Sequence, residues 1–166
     1  TTLFNALTGS KAHVANYAGV TVDLALGRRS YQGRDIEFVD LPGTYSLTAF
    51  SSEEQIAHRF LTEQKPDVVV IVVDASNLER HLYLALQIAE LGVPRVLAFS
   101  MADIARSHGI IYDTDRLGAF MGAPIVETVA TRGEGIDSLL EAIVNQAELG
   151  TEAATPLQVP YGDEID

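Results

Sequence analysis

Apolar and polar residues alternate at Val20, Val22, Leu24 and Leu26, and the same period of two returns at Ile36 and Phe38. Gln32-Gly33 falls between the two runs and suits a tight turn, so the segment reads as a β-hairpin. Val68 to Val73 has no polar break and is bounded by Pro66-Asp67 and Asp74, which predicts a strand buried on both faces, as in a parallel sheet. Val96-Leu97-Ala98-Phe99 and Ile125-Val126 predict two more strands. Between them the period changes: Leu78, Leu82, Ala85, Leu86 and Ala89 share one helical face, as do Ile136, Leu139, Leu140, Ile143, Val144 and Ala147. Ser52-x-x-Gln55 has the form of a capping box opening a helix through Ile56 and Phe60. Gly92-Val93-Pro94 and Gly122-Ala123-Pro124 mark returns from helix to strand. The alternation predicts an α/β fold, a doubly wound and mostly parallel sheet with one antiparallel edge hairpin. Its ligands would bind at the carboxyl ends of the parallel strands.

Composition narrows the partners. A chain of 166 residues, 47% of them hydrophobic, holds one domain with a real core. The expected organisation is a domain over 1–149 and a linker from Gly150 onward in 150–166. No apolar run reaches the roughly 18 residues that cross a bilayer, so direct membrane insertion by this chain is not expected. With 23 acidic and 11 basic side chains, the net charge of −12 repels nucleic-acid backbones and anionic lipid. Cysteine is absent, which excludes disulfides and thiolate metal sites and fits a reducing compartment. A small phosphate ligand held by backbone amides and a metal is compatible with this charge.

Three short segments carry candidate chemistry. Asp40-Leu41-Pro42-Gly43 follows the strand containing Ile36 and Phe38; a carboxylate there can hold Mg²⁺ through water, and the Gly43 amide can meet a γ-phosphate. Such tetrapeptides are more often plain turns. Upstream, Gly19-Val20-Thr21 places a hydroxyl where a mobile loop can carry it to the same metal, against the simpler reading of Thr21 as a strand-opening β-branched residue. Ser100-Met101-Ala102-Asp103 follows the strand ending at Phe99. The Asp103 carboxylate can accept from guanine N1–H and its exocyclic amino group, a pairing adenine cannot supply; the alternative is a helix N-cap. Val129-Ala130-Thr131 can offer backbone amides to the base, or is a plain loop eased by Gly133 and Gly135.

In this order and spacing the segments resemble the G domain of the ferrous iron transport protein B family. Thr1-Thr2-Leu3-Phe4-Asn5-Ala6-Leu7-Thr8-Gly9 resembles the stretch directly after the Gly-Lys of that family's phosphate-binding loop. Asn16-Tyr17-Ala18-Gly19-Val20-Thr21-Val22 resembles its first switch, and Asp40-Leu41-Pro42-Gly43-Thr44-Tyr45-Ser46-Leu47 its second. Val73-Asp74-Ala75-Ser76-Asn77-Leu78-Glu79-Arg80 is close to a family hallmark. The likeness runs to about Leu149, and Pro160-Tyr161-Gly162-Asp163-Glu164-Ile165 looks like the entry to a helical spacer domain.

The resemblance implies a Ras-like P-loop GTPase fold whose first strand and G-x-x-x-x-G-K loop would lie upstream of Thr1. It implies GTP and GDP as ligands, Mg²⁺ as cofactor, and slow hydrolysis coupled to a membrane-embedded Fe²⁺ pore and helical spacer of the same protein, at the cytoplasmic face of a bacterial inner membrane. By this likeness Thr1, Thr21 and Asp40 serve the metal, Gly43 senses the γ-phosphate and Asp103 selects guanine. Thr2, Asn16, Ser100, Met101, Val129, Ala130 and Thr131 join the nucleotide site. Catalysis rests on Thr21, Gly43 and Thr44, the last standing where Ras has a water-orienting glutamine. Ser100 replaces the family's asparagine, and Ala130 a frequent serine. Use of K⁺ depends on an upstream asparagine and stays open, as does a homo-oligomeric state.

The 166-residue chain by itself is expected to be unstable and to bind nucleotide poorly, because strands beside the upstream one would keep unpaired backbone groups. Other readings are a degenerate guanine-nucleotide or protein-interaction module without hydrolysis, and a ribosome- or tRNA-associated GTPase. His13, His58, His81 and His108 show no metal-ligand spacing. Glu53 and Glu54 suit a helix's first turn, and Arg28-Arg29 a solvated face.

Overall fold

The computed structural model describes residues 2–9, 13–17, 22–42 and 52–153. Strands β1 (His13–Tyr17), β2 (Val22–Tyr31) and β3 (Arg34–Asp40) form an antiparallel sheet in that order. Strands β4 (Val69–Asp74), β5 (Arg95–Ser100) and β6 (Ile125–Glu127) form a parallel one. The helices are α1 (Thr2–Thr8), α2 (Ser52–Arg59), α3 (Leu78–Glu90), α4 (Ala102–Ser107), α5 (Thr114–Met121) and α6 (Ile136–Ala153). Helix α2 runs on into a π turn, Phe60–Gln64, and ends at Lys65 with φ of 47°.

The β2–β3 hairpin turns on Gln32 and Gly33, at φ of 50° and 77°. Positive φ at both central residues is the type I′ geometry, whose twist matches that of the flanking strands. β1 is an element that the sequence reading did not include; Asn16 and Tyr17, read as the start of a segment resembling the first switch, belong to it. His13 to Tyr17 pair with β2, Asn16 opposite Asp23, and the two side chains meet at 3.3 Å. The outer edge of β2 offers a row of unpaired amides and carbonyls, and an extended neighbour satisfies them.

The parallel sheet carries helices against both faces, as a doubly wound fold requires. On one face Ile71, Val73, Leu97 and Phe99 pack against Ala85, Ile88 and Ala89 of α3 and Met121 of α5. Leu78, Leu82 and Leu86 lean on this cluster half-buried. On the other face Val96 and Ala98 meet Leu3 and Leu7 of α1 and Leu139, Leu140 and Ile143 of α6. Strand β5 lies in the middle, with Val96 to Phe99 wholly buried. Truncating such a side chain to alanine costs about 2–5 kcal/mol.

Val72 departs from the expectation of a strand buried on both faces: it is 48% exposed, while Ile71 and Val73 on the opposite face are buried. The cause is topological. Among the described residues β3 and β4 do not pair with each other. A groove of about 1540 Å³ separates them, walled by β3, β4, α1 and α6.

Two arginines finish helix ends. Arg29 Nη1 donates to the carbonyls of Ala6 and Leu7 at 3.2 and 3.3 Å, capping the last turn of α1. This corrects its reading as a solvated side chain; Arg28 is the exposed one, 3.3 Å from Glu37. Beside Arg29, any Cβ at Gly27 would overlap Thr8, so α1 lies directly on β2. Arg95 is buried and donates to Val93 O at 3.1 Å and Met121 O at 2.9 Å, the second at the end of α5. Burial pushes its guanidinium pKa down, and the negative end of α5 offsets part of that cost.

Candidate nucleotide site

The carboxyl ends of β5 and β6 are stitched together. Thr128 donates to Phe99 O from its amide at 2.7 Å and from its hydroxyl at 3.2 Å, and Ala102 N reaches Thr128 O at 3.4 Å. Ala75 N donates to Ser100 O at 3.0 Å, tying in the loop after β4. That loop is an Asx turn, in which Asp74 Oδ1 accepts from the Ser76 amide at 2.9 Å and hydroxyl at 2.6 Å. Three strand ends therefore present their loops on one side of the sheet.

Met101 takes the left-handed conformation, φ of 56°, between β5 and α4. This sharp bend puts Asp103 in the first turn of α4 instead of at its cap, so the N-cap alternative is set aside. The Asp103 carboxylate lies 3.8 Å from Arg132 Nη2. Ser100 turns its hydroxyl back toward Val73 O at 3.4 Å.

Opposite Asp103 is the loop after β6. Val129 and Glu134 exchange two backbone hydrogen bonds, Val129 N to Glu134 O at 3.1 Å and Glu134 N to Val129 O at 3.2 Å. They close a 3-10 turn, Ala130–Arg132. Gly135, with φ of 79°, lies so close to Glu127 O that a Cβ would overlap it, which presses the loop against β6. Tyr112 donates to Glu127 at 3.2 Å and packs edge-on against Phe99, ring centres 5.2 Å apart. Burial first, then the Glu127 charge, raise its phenol pKa.

The groove gathers the described candidates other than Asn16. Asp40, at the end of β3 and half-buried, lines it together with Ser100, Met101 and Asp103, and so do Thr2 and the Val129 to Thr131 turn. Asn16 is placed elsewhere, on the exposed outer strand β1. Thr1, Thr21, Gly43 and Thr44 lie outside the described residues. The oxygen donor of Asp40 suits Mg²⁺, a hard cation. The four histidines fall on β1, α2, α3 and the end of α4, and no cluster able to hold a metal occurs among the described residues. Sequence reasoning missed Arg132 and Glu134. The glycines at 133 and 135 signalled a tight turn, but nothing in the order of residues says that it folds Arg132 back onto Asp103.

A doubly wound sheet with an antiparallel extension and its loops at the carboxyl ends of β4, β5 and β6 defines a domain of the Ras-like G-domain class. The family model of the ferrous iron transport protein B matches residues 1–143, and the chain belongs to that family. It is 50% identical over 147 residues to the Fe(2+) transporter FeoB of Escherichia coli K12, covering 86% of this chain and 19% of that protein. The Salmonella typhimurium LT2 relative is 48% identical over the same length. The chain thus spans about a fifth of the length of these curated relatives.

Among solved structures, the cytosolic domain of the Thermotoga maritima FeoB iron transporter in a GDP form superposes with a TM-score of 0.90 at 40% identity. The match covers 98% of this chain and 64% of that one. The FeoB G-domain from Methanococcus jannaschii gives 0.78 at 41% identity, covering 89% and 88%.

Proposed function

We propose that this chain is the guanine-nucleotide-binding, slowly GTP-hydrolysing switch domain of a ferrous iron transporter, acting on the cytoplasmic side of the membrane. The observation that carries the reading is the position of Asp103. It lies in the first turn of α4, just past the end of the parallel strand β5, is 3.8 Å from Arg132 in the turn after β6, and shares one groove with Asp40 and Val129 to Thr131.

In this reading Asp103 accepts two hydrogen bonds from guanine, and leaving those acceptors half-paired with adenine rejects ATP. The turn at Val129 to Thr131 supplies backbone donors to the base. Asp40 holds Mg²⁺ through water, joined by Thr1 and Thr21, and the ion neutralises charge on the phosphates. Gly43 offers its amide to the γ-phosphate, with Thr44 beside it in place of a side chain able to orient water, so intrinsic turnover is slow. The strand and phosphate-binding loop from upstream of Thr1 fill the groove between β3 and β4. The domain passes its nucleotide state through the spacer after about residue 149 to a pore that carries Fe²⁺.

The test is a titration of the protein, including the residues that precede Thr1, with GDP and ADP. GDP is expected to bind in the micromolar range and ADP not measurably, and Asp103→Asn should transfer the preference to xanthosine diphosphate. Equal binding of GDP and ADP would overturn the reading. Ser100 favours a second one, a degenerate module: its short hydroxyl is turned into the sheet, 3.4 Å from Val73 O. GTP hydrolysis no faster than the uncatalysed reaction would select it.

A further inference from the structure

Arg132 stands at the one carboxylate that the guanine reading needs. Its Nη2 is 3.8 Å from Asp103 Oδ2 and its Nη1 is 3.9 Å from Glu134 Oε1, so one guanidinium lies within ion-pair range of two acids, one nitrogen toward each. The backbone that carries it is stiff. The paired bonds of Val129 and Glu134, the positive φ of Gly133 and the contact of Gly135 with Glu127 fix the turn. The chemistry of the bridge is informative. A guanidinium turns cationic N–H donors toward a carboxylate, and the N1–H and amino edge of guanine presents donors to the same oxygens.

We propose that Arg132 stands in for guanine at Asp103 when no nucleotide is bound, and that Glu134 keeps the guanidinium once the base takes Asp103. The proposal rests on the guanine reading above. Arg132 is then an affinity-setting residue: it lowers the standing cost of an unpaired acid in an empty pocket, and it must be displaced before the base can bind. The two carboxylates make displacement easy, since Arg132 moves from a shared to a single partner without entering water alone. The Asp103 and Arg132 side chains are 31% and 62% exposed, which keeps the competition in the range of a screened surface ion pair.

The experiment is a GDP titration of the protein with its residues upstream of Thr1, as wild type, Arg132→Gln, Arg132→Lys and Glu134→Gln. Arg132→Gln should tighten GDP about two- to fivefold, the span set by an exposed pair. Arg132→Lys, which keeps the charge, should stay closer to wild type than Arg132→Gln. Glu134→Gln should weaken GDP by a similar factor, because Arg132 then has Asp103 alone. Titration with guanosine should show wild-type affinity rising with NaCl and Arg132→Gln affinity unmoved, free of any phosphate contribution. In an Asp103→Asn background, xanthosine diphosphate binding should ignore Arg132→Gln. Melting curves of each variant verify folding. Weaker or unchanged GDP binding by Arg132→Gln, or the same gain in the Asp103→Asn background, would overturn the proposal. Failure of Asp103→Asn to exchange GDP for xanthosine diphosphate would instead overturn the guanine reading beneath it.

Discussion

At Ser100 a hydroxyl one carbon from the backbone stands where the family has an amide, and it spends its hydrogen bond on Val73 O at 3.4 Å. It belongs to the same groove as Asp103 but reaches nothing across it. An asparagine at that strand end extends farther and can meet both base and phosphate loop. Ser100→Asn should therefore tighten GDP by about 1–3 kcal/mol, the value of a recovered buried hydrogen bond. Preference for GDP over ADP should stay unchanged, because the proposed reading assigns it to Asp103. Calorimetric titration of both nucleotides on the two variants measures this, and equal GDP affinity would show that Ser100 limits nothing. Met101 makes a related point. A non-glycine residue at φ of 56° is strained, and here the strain turns the chain so that Asp103 faces the turn after β6.

Among the elements, the hairpin turn offers the plainest test of local chemistry. Type I′ geometry favours Asn-Gly, and Gln32 supplies a longer side chain with no special tolerance of positive φ. Gln32→Asn should stabilise the fold by roughly 0.5–1 kcal/mol, read as a rise in melting temperature without change in nucleotide binding. That turn was legible from Gln32-Gly33 alone because its signal is two residues long. So were β5, α3 and α6, where periodicity and burial agree over a full element. β1 was not, since His13 to Tyr17 carry no clean alternation and become a strand only through the edge of β2. Arg29 as a cap for α1 was equally hidden, because the contact joins residues more than twenty positions apart. At the candidate site the order of segments picked out Asp40 and Asp103, which line one groove. The bridge from Arg132 to Asp103 depends on how one loop folds over another strand's end, and single positions do not encode that.

For the molecule as a whole, two three-stranded sheets face each other across a groove with β3 on one bank and β4 on the other. Apolar side chains from Phe38, Val70 and Val72 line it, together with Leu3 of α1 and Ile143 of α6. A strand laid there would pair with both banks and cover them. A polypeptide carrying the residues that precede Thr1 should accordingly melt at a higher temperature and more cooperatively than the 166-residue chain. Thermal denaturation followed by circular dichroism compares them, and coincident curves would show that the groove needs no such strand. The same groove also bears on behaviour in concentrated solution. Val69 to Val73 is an uncharged, β-branched run whose groove-side edge, unpaired among the described residues, can accept an identical segment from a neighbouring molecule. Whatever occupies that channel therefore guards against clumping as well as completing a fold, and solubility becomes a reporter of its occupancy.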